Sequence, residues 1–170
     1  MNYRIVTKPA FKVIGFDIHT TTQDGKNHQD IPAFWQDYLR NDRSSRIPNR
    51  VHKDTPVELG ICHSFDMTTG SFIYTIGMEA EHFESIEDNE LTCHEFDTAE
   101  YAVFTTPKSP LDQFSQSIQN TWSAIFSEWF PHNDYEHAGT PELEIYDERS
   151  NPEHGEVQMD IYIPIKRKEA

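Results

Sequence analysis

The sequence predicts an α+β fold in which a β-α-β-β unit occurs twice. Helical periodicity is confined to two stretches, and each is preceded by one strand pattern and followed by a pair of strand patterns. The segments that open the two strand pairs also match. Pro56–Ile61 aligns with Pro141–Ile145 with a gap of one residue, and Gly60 aligns with Glu144. We therefore expect a single domain over residues 1–170 with pseudo-repeats at about 1–85 and 91–170. A pseudo-two-fold axis would give antiparallel sheets with helices on their outer faces and a central cleft.

The first half begins with a buried-strand pattern at Phe11–Thr20, followed by a polar loop at 21–29. A helix is predicted next, with Asp30 as its N-cap, because apolar residues recur at the spacing of one helical face. These residues are Ile31, Phe34, Trp35, Tyr38 and Leu39. A charged loop at 41–55 separates this helix from two predicted strands at 57–65 and 71–79.

In the second half the strand pattern that precedes the helix is 101–106, which is stronger than an earlier one at 91–96. A second helix is predicted from Ser109-Pro110 to Pro131. The aromatic and aliphatic stripe of this helix is predicted to be core. A solvated loop with His132 and His137 leads to a hairpin at Pro141–Ile165. From the alternation in its two arms we expect Leu143, Ile145, Ile161 and Ile163 to share one face, so that Glu144 and Asp160 share the other.

The composition favours a cytosolic protein that contacts neither nucleic acid nor membrane. The formal net charge is -15, whereas nucleic-acid binding requires clustered Lys and Arg. No stretch has the length of a membrane span, and the N-terminus lacks the apolar run of a signal peptide. Cys62 and Cys93 are too few for a disulfide framework. An acidic surface also promotes solubility, so the charge alone does not identify a cationic ligand.

No cofactor and no metal site are predicted. The chain contains neither a Gly-rich phosphate loop nor a G-x-S-x-G nucleophile motif. Cys62-His63 and Cys93-His94 are the pairs that suggest metal binding, but adjacent residues in a strand point to opposite faces. Neither pair is therefore expected to supply two ligands to one ion.

Glu144 is the central candidate for a ligand site. A carboxylate in an apolar cleft is costly unless it is compensated, and an organic cation between aromatic rings supplies that compensation. Candidate walls are Tyr146 and Tyr162, with Trp35 at the rim, Gly60 leaving space opposite Glu144, and Asp160 as a second charge. The alternatives are a solvated strand face for Glu144 and ordinary core packing for the aromatic residues.

Several motifs together resemble the GyrI-like effector-binding domain of AraC-type and MerR-type regulators, here in stand-alone form. They are IPAFWQDYL, LGIC with FIYTIGMEA, AEYAVFTTP before a helix ending EWFP, and ELEIY with MDIYIPIK. The resemblance implies a duplicated β-α-β-β unit and an aromatic pocket whose glutamate, matching Glu144, pairs with lipophilic cationic compounds. It thus implies a small-molecule binding protein that sequesters or senses such compounds.

Two other functions are compatible with the same residues. Some stand-alone members of the family resemble hydrolases of strained, cyclopropane-bearing toxins, and Glu144 would then act as general acid or base. An acidic interaction module acting on a protein partner such as gyrase is the second alternative.

Overall fold

The computed structural model describes residues 1–170 and contains nine β-strands and two α-helices. In chain order they are β1 (Arg4–Lys8), β2 (Phe11–Thr21), α1 (Asn27–Arg40), β3 (Glu58–His63), β4 (Ser71–Ala80), β5 (Thr92–Phe96), β6 (Ala99–Thr105), α2 (Leu111–Ala124), β7 (Tyr135–His137), β8 (Glu142–Tyr146) and β9 (Asp160–Arg167). A π-helical turn, Ile125–Trp129, extends α2. Neither helix is long and apolar enough to cross a membrane. The chain forms two compact units: the first unit is Phe11–Phe96, and the second unit is Met1–Ala10 with Asp97–Ala170.

In the first unit the antiparallel strands follow the order β3-β4-β2-β5, and α1 covers one face. The helix packs because its apolar stripe places Phe34 and Tyr38 on the sheet, where they join Ile14, Phe16 and Ile76 in a buried cluster. Asp30 lies in the first turn of α1 rather than at its N-cap, which is Lys26, and it accepts a hydrogen bond from Lys26 Nζ at 2.6 Å.

In the second unit the order is β1-β6-β9-β8, with β7 paired to the end of β9. Here α2 and its π-helical extension cover one face, and Ile125 and Trp129 join Phe104, Ile161 and Ile163 in a buried cluster.

The two units repeat the same order of elements and the same register. In each unit a β-α-β-β segment places its second strand beside its third and its third beside its first. The matching cross-strand rows are Phe16, Ile76 and Gly60 in the first unit and Phe104, Ile161 and Glu144 in the second. In the next row both units pair an aspartate with a threonine, but the two residues have changed strands. Asp17 lies on the first strand of its unit and accepts from Thr75 at 2.7 Å, whereas Asp160 lies on the last strand of its unit and accepts from Thr105 at 2.6 Å. The α+β class and the alignment of Gly60 with Glu144 are thus observed, while the two-fold axis and the cleft stay predictions.

The compact units are bounded differently from the predicted pseudo-repeats, and two further expectations need correction. The unit boundaries differ from 1–85 and 91–170 because β1 pairs with β6 and β5 pairs with β2, so each unit takes an outer strand from beyond its own half. The segment around His137 is a strand, not a solvated loop. The predicted register of the hairpin was also wrong, because Glu144 pairs with Ile161 and Leu143 pairs with Tyr162. Because opposed residues share a face, Glu144 lies with Ile161 and Ile163, and Asp160 lies on the opposite face.

Candidate functional site

Glu144 lies on the face of the second unit that α2 covers. It is 7% exposed, and Trp122 of α2 donates from Nε1 to its Oε2 at 3.2 Å. Strand alternation places Glu142 on the same face, also buried, with 8% exposure. Two carboxylates are therefore held under the helix, and the solvated strand face considered for Glu144 is excluded.

Aromatic rings connect these two glutamates. Trp122 stacks on Phe126 with ring centroids 6.3 Å apart and an interplanar angle of 8°, because residues four apart lie above one another on a helix. Phe126 in turn stacks on His137 at 6.3 Å, and His137 Nε2 lies 3.2 Å from Oε2 of Glu142. We call Trp122, Phe126, His137, Glu142 and Glu144 the acidic aromatic cluster.

The acidic aromatic cluster is accessible at one side. Phe126 is 46% exposed, and Trp122 and His137 are partly exposed. Carboxylates and the faces of aromatic rings both attract cations, and the attraction is stronger where water is excluded. The cluster therefore has the chemistry of a site for an organic cation.

The two predicted tyrosines lie on different faces. Tyr146 lies on the Glu144 face and packs edge-on against Phe114 of α2 at 6.3 Å. Tyr162 pairs with Leu143 and lies on the opposite face, against Tyr101 at 5.6 Å. Only Tyr146 is therefore positioned beside the acidic aromatic cluster.

Asp160 forms a separate charged network. It is 4% exposed and receives hydrogen bonds from Arg149 at 2.8 Å, Arg4 at 3.2 Å and Thr105 at 2.6 Å. Burial by itself would raise the pKa of Asp160, but these donors hold it below its usual value. Its charge is thus balanced by two guanidinium groups of the chain, which leaves it little to offer a ligand cation.

Trp35 and Gly60 belong to the first unit. Trp35 is half-buried on α1, donates from Nε1 to the Tyr74 hydroxyl at 2.8 Å and packs edge-on against Tyr38 at 5.7 Å. Gly60 lies on the α1 face of its sheet, opposite Ile76. Their roles at a ligand site stay predictions.

Sequence reasoning missed Trp122, Phe126, His137 and Glu142. The signals were present: Glu142 and Glu144 alternate on one strand face, and Trp122 and Phe126 are four residues apart. Trp122 was assigned to the core with the rest of its stripe. Ile125 and Trp129 are indeed core, whereas Trp122 and Phe126 remain partly exposed beside the glutamates.

A second polar cluster lies in the first unit, on the face away from α1. His63 and His94 approach Asp17, and the possible ligand atoms of the three residues lie within 4.8 Å of one another. Burial, then the neighbouring His94, lowers the pKa of His63 to about 4. Burial would raise the pKa of Asp17, but hydrogen bonds from His94, Thr75 and Thr92 keep it lowered. The expectation of no metal site compared residues within each dipeptide, whereas the structure brings together one histidine from each.

Comparisons with known proteins agree with this fold. A family model described as Cass2, integron-associated effector binding protein, matches residues 4–165. The transcriptional regulator BrlR of Pseudomonas aeruginosa is 28% identical over 166 residues, which cover 97% of this chain and 56% of BrlR. The chain therefore spans about half the length of that relative.

Solved structures share the fold over nearly the whole chain. SAV2435 bound to tetraphenylphosphonium has a TM-score of 0.79 at 16% identity, covering 98% of this chain and 94% of SAV2435. The integron cassette protein VCH_CASS2 of Vibrio cholerae has a TM-score of 0.65 at 17% identity, covering 96% and 95%. The C-terminal domain of EcmrR has a TM-score of 0.61 at 12% identity, covering 98% of both chains. The predicted GyrI-like effector-binding fold is thus confirmed, and the chain belongs to the family of integron-associated effector binding proteins.

Proposed function

We propose that the protein binds lipophilic aromatic cations at the acidic aromatic cluster, and so sequesters or senses such compounds. The observation that carries this proposal is the buried carboxylate of Glu144, which lies beneath Trp122 and two residues from the equally buried Glu142. A cation entering beside Phe126 would find negative charge at the base of the site and aromatic faces at its sides.

The energetics favour a cation with apolar substituents. A buried carboxylate loses hydration, and a cation restores part of that loss by direct attraction. Each aromatic face adds about 0.5–2 kcal/mol, with the larger value where water is excluded. A small hydrated cation gains less, because it would have to give up its own water to reach Glu144.

A structural neighbour supports the choice of ligand class. SAV2435, which shares the fold with a TM-score of 0.79, has been solved with tetraphenylphosphonium, a cation shielded by phenyl groups. The acidic aromatic cluster of this chain offers partners for both parts of such a molecule.

The test is calorimetric titration with tetraphenylphosphonium, followed in parallel by tryptophan fluorescence, on the native protein and on Glu144→Gln. We expect saturable binding that weakens by about tenfold or more in Glu144→Gln, since a desolvated charge partner is lost. Trp122 should report the binding by a change in emission.

Glu128→Gln is the matched control, because it removes the same charge from an exposed position on the π-helical turn. It should bind as the native protein does. Equal affinity of all three proteins would contradict the proposal. Incubation with a strained, cyclopropane-bearing electrophile and mass spectrometry of the product separates binding from hydrolysis. Unchanged compound would count against an enzyme, and a product heavier by one water would support the hydrolase alternative.

A further inference from the structure

Asp17, His63 and His94 come from three strands of the first unit and converge on one face of its sheet. His94 Nε2 lies 2.9 Å from Oδ2 of Asp17, and the rings of His63 and His94 are 4.7 Å apart between centroids. His63 Nε2 lies 2.9 Å from the Thr75 hydroxyl, which donates to Oδ1 of Asp17 at 2.7 Å. Two imidazoles and one carboxylate are thus directed at a common volume.

We propose that Asp17, His63 and His94 form a binding site for a divalent transition-metal ion such as Zn²⁺. Imidazole nitrogen and carboxylate oxygen are ordinary zinc ligands, and three protein ligands with one open position are a known type of zinc site.

The present distances are close to those that an ion requires. Ligand atoms of a tetrahedral zinc site lie about 3.4 Å apart, given metal distances of about 2.0–2.2 Å. The ligand atoms of the three residues all lie within 4.8 Å of one another, and the nearest printed pair is 2.9 Å apart. No pair therefore has to close by more than about 1.4 Å, a change that rotation of the rings can supply.

Neighbouring hydroxyls already hold two of the three ligands, Asp17 and His63, in place. Thr75 and Thr92 lie 2.7 Å and 2.9 Å from Oδ1 of Asp17, and the Ser64 hydroxyl lies 3.0 Å from Nδ1 of His63. When Nε2 of His63 binds the ion, its proton resides on Nδ1, where it donates to Ser64. This matches the usual support of a metal-bound histidine, whose second nitrogen donates to a fixed acceptor.

The cysteines beside the two histidines are not part of this site. Cys62 packs against the α1 side of the sheet, and Cys93 is exposed and pairs with Ile14, which also faces α1. The side chains of His94 and Asp17 are 22% and 16% exposed, so an ion can reach the open position from solvent. All three ligands belong to the first unit, and the site does not depend on the cation pocket proposed for the second.

The test is a calorimetric titration with Zn²⁺ in a buffer that does not bind metals, on protein carrying Cys93→Ser to remove the exposed thiol. One equivalent should bind, and His94→Gln or Asp17→Asn should each weaken binding by about a hundredfold or more. His52→Ala removes an exposed loop histidine and should leave the affinity unchanged. Equal affinity in the ligand variants and in the His52 control would overturn the proposal.

A second measurement needs no ligand variant, so it holds even if those variants fold poorly. Paramagnetic Co²⁺ added to the Cys93→Ser protein should first broaden the amide signals of residues next to Asp17, His63 and His94. Broadening confined to other histidines, or spread evenly over the surface, would overturn the proposal.

Discussion

Replacing Arg149 by Met should destabilise the protein without weakening cation binding. Arg149 donates to Asp160 through two nitrogens, at 2.8 Å and 3.3 Å, and it also pairs with Asp147 at 2.8 Å. Methionine retains much of the aliphatic length but removes every one of these donors. Asp160 would keep only Arg4 and Thr105 as partners.

The magnitude follows from the exposure of the partners. Breaking a fully buried ion pair costs about 3–5 kcal/mol, and an exposed pair contributes about 0–1 kcal/mol. The Asp160 side chain is 6% exposed, but those of Arg149 and Arg4 are 39% and 53% exposed. Because water screens the arginines and Arg4 remains, we expect a loss of about 2 kcal/mol in the free energy of unfolding.

The pH dependence has a defined sign. The pKa of Asp160 is lower in the folded protein than in the unfolded chain, so its contribution to stability is present above about pH 4 and is lost as the pH falls through the folded pKa. Without Arg149 the folded pKa rises, and the variant should unfold in acid at a higher pH than the native protein. Urea unfolding at pH 7 and an acid titration followed by circular dichroism measure both effects.

Lys108→Met is the control, because it removes an exposed cation from a loop. A variant Arg149→Met that is no less stable than this control would refute the assigned role of the arginine. A large loss of tetraphenylphosphonium affinity in Arg149→Met would indicate that Asp160 belongs to the ligand site, and would refute its assignment to a structural role.

Three further predictions test the fold and the site. Gly15→Ala should lower the free energy of unfolding by more than about 3 kcal/mol, because a Cβ there would lie 2.2 Å from the backbone oxygen of Ile76. Gly155→Ala, with open space around it, should lower it by about 1 kcal/mol. Equal losses in urea unfolding would contradict the close approach at Gly15. Phe126→Ala should weaken cation binding about three- to thirtyfold in calorimetry, as expected for one aromatic face, whereas the exposed Leu111→Ala on the same helix should not. The affinity for tetraphenylphosphonium should change by less than about threefold between 0.05 M and 0.5 M NaCl, since a buried pair is weakly screened; a steep decline would indicate binding to the acidic surface instead.

The repeated architecture was predictable because helical and strand periodicities differ and their order recurs. The match of Gly60 with Glu144 was visible in two short segments, and the strand register of both units agrees with it. Glu144 was singled out because it is a charge in an alternating strand and because of the family resemblance, and its role in ligand binding stays a prediction.

The hairpin register could not be read in the same way. Residues 147–159 separate β8 from β9, and a connection of that length does not fix which residues face each other. A shift of one residue exchanges the faces, so Asp160 was placed beside Glu144 although it lies on the opposite side. The three-residue strand β7 is too short for periodicity to identify.

Contacts between strands distant in sequence were also hidden. The approach of His94 to Asp17 depends on β5 pairing with β2, and that of His63 depends on β4 lying between β3 and β2. The pairings of β5 and of β4 with β2 have no local signal in the sequence. Similarly, the π-helical turn that carries Phe126 arises within a regular helical pattern.

The central claim is that an aromatic cation binds next to Glu144. A crystal structure with tetraphenylarsonium tests it directly, because anomalous scattering locates the arsenic atom without reference to the protein density. The account predicts one strong peak within about 6 Å of the Glu144 carboxylate and of the Trp122 ring. A peak elsewhere on the protein, with the acidic aromatic cluster unchanged, would contradict it.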